Sequence, residues 1–500
     1  MFAAALAWQI GAACGTVEWI CRNLTVDDTY LALQVARGWA EHGTPTFDGL
    51  HRTNGFQALW GLLLWPIALI VSEPTTMLRA CLILVAVLNT ATGLILWRFM
   101  RRAAGGGAGV WAAALWTMYC LAGRPAMIGL ENALAAVVAA AVITRLWRLL
   151  ERPRSMLCWL WAAFSMGLLC WTRLDCVIIV GAVMTGLILV ALRRQIWRGY
   201  LLAVVTLLAS AGGLAAFNMW AADTPTPISG LVKRHVAVQR QPSLTAAVIA
   251  KSAADTAMTL LKCTSAATGT LRPSGVSSVV RGVVVILLAA VLVGRRLRFD
   301  SWVGWWIGAL VAHVLVIRLW LSDYYSDTPW YYSPEYVSAA LLLALVCDTL
   351  GRRLFARRNR WKLPAALVAI RLTFAATALI LPDSGGDGLS DNRLAAAKWL
   401  SKHAAAGERV AAWNAGELAY FSGCTLINLD GLVNDREYLS LIRAERTGQA
   451  YWREQRVEWL VDYRKNMDWI PRDRWRETAV FGDDKRTAQL VLKLRHAGDE

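Results

Sequence analysis

The chain has 500 residues, is 57% apolar with a mean hydropathy of +0.42, and carries a formal charge of +17. Ordinary soluble domains are roughly 45–50% apolar. An ordinary soluble globule is therefore excluded, and the long apolar runs separated by arginine clusters are the pattern of a polytopic membrane protein. From Asp383 to the end, 18 Lys+Arg stand against 19 Asp+Glu, which leaves 34 against 16 in residues 1–382. The positive excess belongs to the apolar part, where the bias of cytoplasmic loops accounts for it, and nucleic acid is rejected as a partner.

In chain order, Phe2–Ile20 reads as a retained first span without the basic leader of a cleavable signal. A polar stretch to Asn54 follows, with Thr25-Val26-Asp27-Asp28-Thr29-Tyr30 at its head. Two adjacent carboxylates just past a span make Asp27 and Asp28 candidate bases, although Thr25 and Asp28 also read as a capping box that opens a helix. Phe56–Val71 is apolar but short, and Met77–Trp97 is a full span ending in Arg98, Arg101 and Arg102. If Phe56–Val71 is re-entrant or interfacial, those arginines and every later cluster fall on the side opposite Asp27 and Asp28. Further spans are expected near 108–122, 132–146, 155–171, 176–192, 200–220, 278–293, 301–321, 336–350 and 363–381, about eleven in all. The amino terminus is then cytoplasmic and the carboxy terminus outside.

That topology gathers the specialised polar residues on the outer face. They include Arg52 and Asn54, then Arg124 through Glu131, then Arg173 and Asp175. Glu131 opens a span, where a helix amino terminus favours a carboxylate, and Arg173 with Asp175 reads equally as an ion pair. Lys233-Arg234-His235 is basic on the face where charge bias does not ask for it. It suits a phosphate or anionic lipid head groups. Trp330 and Tyr331, with Tyr324, Tyr325 and Tyr332, form an aromatic group that serves as an interfacial belt or lines a sugar cleft. The ten cysteines show no CxxC or metal-ligand spacing. From Asp383 a turn-rich linker leads into a small α/β domain, with a helix at 394–400 and strands at 409–413, 425–429 and 458–462. The expected domains are thus 1–382, a transmembrane α-helical unit, and 383–500, an extracytoplasmic α/β unit.

Several of these stretches resemble one family. Asp27-Asp28-Thr29-Tyr30, Ala36-Arg37, Phe47-Asp48-Gly49, Thr53-Asn54-Gly55-Phe56 and Leu59-Trp60 resemble the first outer loop of GT-C glycosyltransferases, in the branch of bacterial arabinofuranosyltransferases and protein mannosyltransferases. Gly129-Leu130-Glu131, Arg173-Leu174-Asp175, Ile228–Lys233, Trp330-Tyr331-Tyr332 and Asn428–Asn434 follow in the same order. The resemblance implies a polyprenyl-phosphate-linked sugar donor and an envelope glycan, lipid or protein acceptor. It also implies an aspartate base, inversion at the anomeric carbon, and residence in the cytoplasmic membrane. Asp27 and Asp28 would be catalytic, while Arg52, Asn54, Arg124, Glu131, Arg173, Asp175, Lys233, Arg234, Trp330 and Tyr331 would hold substrate. A divalent metal ion stays open as a cofactor. The rival readings are a transporter or flippase for a lipid-linked substrate, and a non-catalytic scaffold.

Overall fold

The computed structural model describes residues 1–241, 245–267, 301–326, 328–354, 361–380, 389–405, 407–471, 473–484 and 487–495. The expected span at 278–293 and the linker at 382–388 lie outside the described residues.

The amino-terminal run forms two helices rather than one. Helix α1 (Phe2–Ala13) stops at Cys14-Gly15, and the Thr16 hydroxyl then accepts the Trp19 N–H at 3.3 Å to open α2 (Val17–Asn23). At 1.5 Å per residue, α1 reaches about 18 Å, short of a hydrocarbon core of roughly 30 Å. Helix α3 (Asp27–His42) begins where the capping box was expected, with other partners. The Thr29 hydroxyl accepts the Val26 N–H at 3.3 Å, while Thr25 Oγ1 sits 2.7 Å from the Tyr30 hydroxyl. Helix α4 (Ala58–Ile70) contains Pro66 and is also too short to cross.

The remaining membrane-part helices are α5 (Pro74–Ala103), α6 (Gly106–Cys120), the single turn α7 (Arg124–Met127), α8 (Asn132–Glu151), α9 (Met156–Thr172), α10 (Val177–Arg194), α11 (Trp197–Ala222), α12 (Ile228–Arg240), α13 (Ala246–Ala267), α14 (Ser301–Ser326), α15 (Ser333–Leu354) and α16 (Lys362–Ile380). Among the described residues, five stretches are long and apolar enough to cross a membrane: Pro74–Ala103, Asn132–Glu151, Leu174–Arg194, Trp197–Ala222 and Trp330–Arg352. Helix α5 packs against α1, α6 and α8, and α15 packs against α6 and α8. Trp60, Trp116 and Trp159 fill the centre of this bundle.

The carboxy-terminal part opens with α17 (Leu389–His403) and builds a five-stranded sheet. Strand β1 (Arg409–Ala412) pairs in parallel with β2 (Thr425–Asn428) and β3 (Val457–Tyr463). Strand β4 (Trp475–Phe481) pairs antiparallel with β5 (Gln489–Leu494), which in turn pairs antiparallel with β3. Helix α18 (Gly416–Ser422) connects β1 to β2. The first three strands lie where the alternation of apolar residues puts them; β4 shows mostly exposed side chains and gives no such signal.

Helix α3 joins the two parts because it is apolar on two sides. Tyr30, Leu33 and Ala36 enter the core of the helix bundle. Leu31, Val35 and Trp39, spaced four apart, pack with Leu418, Leu432, Val433 and Val461 of the sheet domain. The Arg37 guanidinium adds a bond to the Tyr420 carbonyl at 3.2 Å, and the Tyr420 hydroxyl reaches the Pro74 carbonyl at 2.7 Å.

Candidate active site

The two loop aspartates, adjacent in sequence, point to different places. Asp27 turns toward the sheet domain, where its oxygens accept the backbone N–H groups of Gly416 at 3.1 Å and Glu417 at 2.9 Å. These are the unsatisfied donors at the start of α18, which a carboxylate satisfies well. The Arg393 guanidinium lies 3.8 Å from the same carboxylate. Asp28 instead lines a narrow cleft of about 70 Å³ between α3, α4, α12 and the sheet domain.

Lys233 reaches that cleft because the start of α12 is clamped. Buried Asn54 donates to the carbonyls of Thr224 (3.3 Å) and Thr226 (3.1 Å) and to Asn218 Oδ1 (3.3 Å), and its own oxygen accepts the Ile228 N–H at 2.9 Å. With the first turn fixed, Lys233 Nζ donates to the Tyr331 hydroxyl at 3.0 Å. Arg234 is one residue on, about 100° around the helix. It leaves the cleft, donating to the Trp320 carbonyl at 2.8 Å and lying 4.5 Å from the Trp320 ring centre.

Opposite α12, buried Arg173 stacks on Tyr331 with 4.4 Å from guanidinium carbon to ring centre. It donates to Glu131, and pairs with both oxygens of Asp175 at 3.2 and 2.6 Å. Glu131, Arg173, Trp330 and Tyr331 line the cleft with Asp28 and Lys233. Asp175 stands behind Arg173, with His313 Nε2 3.9 Å from its Oδ1. His313 Nδ1 lies 2.8 Å from Glu335 Oε1. Paired charges of this kind are what allow ionised groups to persist inside a helix bundle.

The sheet domain closes the cleft from above. Leu432 and Val433 line it, and Thr53 Oγ1 donates to the Asn434 carbonyl at 2.8 Å. Gly55 lies so close to the Leu432 carbonyl that a Cβ would collide with it. Asp430 of the same segment accepts the Leu432 N–H at 2.8 Å.

Burial raises two carboxyls beside the cleft. Burial raises the Asp28 carboxyl above the usual carboxylate range, with Lys233 and Arg393 pulling it down and Asp27 pushing it up. Burial pushes Asp430 up to about 8 against the pull of the Leu432 N–H, helped by the negative charges of Asp28 and Asp27.

Of the residues expected at the site, Asp28, Glu131, Arg173, Lys233, Trp330 and Tyr331 share one cleft. Asp27, Asn54 and Asp175 support it from behind. Arg52 lies outside it, half exposed and 4.0 Å from Asp223. The side chain of Arg124 is outside the described set. Sequence reasoning did not select Asp430, His313 or Glu335. His313 and Glu335 carried a usable signal, as ionisable residues within or at the edge of apolar runs. Asp430 lay inside the Asn428–Asn434 stretch, but nothing local showed that it faces Asp28.

The backbone fold matches two solved structures of ArnT from Cupriavidus metallidurans. The form bound to undecaprenyl phosphate has a TM-score of 0.61 at 13% identity, and the apo form 0.62 at 13%; each match covers 98% of this chain and 96% of that one. An Archaeoglobus fulgidus oligosaccharyltransferase, solved in complex with zinc and sulfate, matches with a TM-score of 0.53 at 12% identity over 92% of this chain and 67% of its own. The chain has the GT-C fold. Residues 387–495 match a family model described as a domain of unknown function, DUF8728. No curated protein matches the sequence.

Proposed function

We propose that this GT-C protein is a glycosyltransferase that moves a sugar from a polyprenyl-phosphate donor to a cell-envelope acceptor at the outer face of the cytoplasmic membrane. The observation that carries the reading is the cleft itself, where Asp28 shares the lining with Lys233, Arg173 and Tyr331, and the second carboxylate, Glu131, is already paired with Arg173. The undecaprenyl phosphate bound by the similarly folded ArnT supports the donor class. The arginines that end α5, α8 and α10 support a cytoplasmic location for those ends, which sets the cleft outside.

In this reading the acceptor hydroxyl attacks the anomeric carbon as its proton passes to Asp28. The polyprenyl phosphate leaves as an anion on the opposite side, so the configuration inverts. Lys233 and Arg173 meet its developing charge, and Tyr331 fixes both cations by hydrogen bond and ring stacking. Residues 383–500 form the outer domain that covers the cleft and narrows the choice of acceptor.

Undecaprenyl phosphate, the product of such a transfer, is the direct probe. Purified protein in nanodiscs binds it, and Lys233→Met weakens binding by about tenfold or more, the loss of a charged hydrogen-bonding partner. Turnover is then measured with polyprenyl-phospho-pentoses and hexoses in proteoliposomes. Absence of binding to the wild-type protein, or equal binding by Lys233→Met, would remove the reading.

A further inference from the structure

Behind the cleft lies a second cluster that involves neither loop aspartate. Among the described residues, one grouping has metal-ligand spacing: a carboxylate oxygen of Asp175, the Cys176 sulfur and a His313 ring nitrogen all lie within 4.8 Å of one another. Cys176 and His313 are fully buried, and Asp175 is half-buried.

Three features distinguish this grouping from a chance meeting of polar side chains. Among the described residues His313 Nε2 has no hydrogen-bond partner despite complete burial, a costly condition for a ring nitrogen. It is 3.9 Å from Asp175 Oδ1, too far for a hydrogen bond and about half an ångström wider than the roughly 3.3 Å between two tetrahedral zinc ligands, a gap that a small side-chain rotation closes. Its other nitrogen is engaged by Glu335 Oε1 at 2.8 Å, the outer carboxylate that orients a metal-binding histidine. Asp175 is already held by Arg173, but each carboxylate oxygen has a second lone pair, so pairing with the guanidinium does not use up Oδ1.

We propose that Asp175, Cys176 and His313 form a zinc site, with Glu335 as its orienting carboxylate and water as the fourth ligand. The mixed sulfur, nitrogen and oxygen set selects zinc over magnesium or calcium, which take all-oxygen cages. Cysteine binds as the thiolate, giving its proton to solvent as the ion enters. The ion holds Asp175 through Oδ1, the oxygen that also accepts Arg173 Nε, so it positions the guanidinium that, on the proposed function, the cleft presents to a phosphate. The metal-free alternative is a protonated His313 lying between Asp175 and Glu335.

The test is metal content and spectroscopy, which do not depend on glycosyl transfer. Full-length protein purified in detergent without chelator carries one zinc per chain, and chelator-treated protein rebinds zinc or cobalt at the same stoichiometry. The cobalt form shows a thiolate-to-metal charge-transfer band that Cys176→Ser abolishes and Cys120→Ser, a buried cysteine elsewhere, leaves unchanged. Glu335→Gln, which touches the site only through His313 Nδ1, weakens zinc binding by about 10–100-fold. The wild-type stoichiometry and cobalt spectrum need no variant, so misfolding of a mutant cannot mask the outcome. Substoichiometric zinc that the wild-type protein does not regain, or a cobalt band that survives Cys176→Ser, overturns the site and favours the protonated histidine.

Discussion

Replacing each loop aspartate by asparagine separates the two roles given to them. Asp28→Asn keeps the shape of the cleft and removes the only carboxylate of the pair that lines it. General-base assistance is worth about 10²–10⁴-fold, or roughly 3–5 kcal/mol of barrier, and kcat falls by that amount. Asp27→Asn leaves the cleft intact but weakens a charge-assisted cap. Its two oxygens accept N–H groups at 2.9 and 3.1 Å, and an amide keeps one acceptor while losing the charge, costing about 1.5–3 kcal/mol of domain docking. Its effect on kcat stays within about tenfold because no reacting group is lost. Removing the Asp27 charge also eases ionisation of Asp28, so the acid limb of its pH profile moves to lower pH. Initial rates of transfer in proteoliposomes across pH, with hydrogen exchange read at Gly416 and Glu417, test both halves. The reasoning fails if Asp28→Asn retains more than about a tenth of wild-type kcat. It fails equally if Asp27→Asn matches that loss while the two amides remain as protected as in the wild-type protein.

Other perturbations follow from the same geometry. Asp28 works only when ionised, and its carboxyl is raised by burial, so activity is present at higher pH and lost as pH falls through that raised value. Lys233→Met removes a charge that favours the ionised form and moves the acid limb upward, which a pH–rate profile would show; an unmoved limb would separate Lys233 from Asp28. Burial holds Asp430 at about 8, so its ionisation places a second negative charge beside the cleft proposed to take the phosphate, and activity declines above about that pH. Asp430→Asn abolishes this basic limb, and a limb that persists would assign it elsewhere. Asn54→Ala strips the clamp on α12 and leaves several buried groups unpaired at about 1–3 kcal/mol each. A lowered thermal midpoint and weaker undecaprenyl phosphate binding are expected together, and a loss below about 1 kcal/mol would show that α12 is held by other contacts.

The sequence made some of this visible because some signals are local. Apolar runs such as 77–97 and 132–146 became α5 and α8, lengthened at their ends, since a span must satisfy its own backbone. The run 2–20 misled because apolar composition continued across Gly15, while the Thr16 cap that starts a new helix is a one-residue signal. Strands β1, β2 and β3 showed through their burial on the sheet, whereas β4, with most side chains exposed, did not. At the site, residue type pointed to Lys233, Arg173, Glu131 and Tyr331 as polar or aromatic groups on the outer side. The difference between Asp27 and Asp28 was invisible, because it depends on the start of α18, 389 residues away along the chain. Asn54 looked like a substrate contact for the same reason, since its partners at 218–228 come from another helix and loop.

These long-range contacts tie the chemistry proposed for Asp28 to the docking of the sheet domain. Helix α3 carries Asp27 and Asp28 at its first turn, and that turn is fixed on one side by the bundle and on the other by the sheet domain. The same sheet domain supplies Leu432 and Val433 to the roof of the cleft, with Asp430 close enough for its charge to act on Asp28. A lifted outer domain would release Asp27 from α18, open the cleft to water, and restore solvation to the Asp28 carboxyl. Restored solvation lowers the proton affinity of Asp28 and withdrawal of the Arg393 charge opposes it; burial is the larger influence, so the net change is a weaker base. On the proposed function, the closed arrangement does more than shield the cleft: it raises the basicity of Asp28, and an acceptor that seats against the sheet domain favours the state in which that carboxylate is the stronger base.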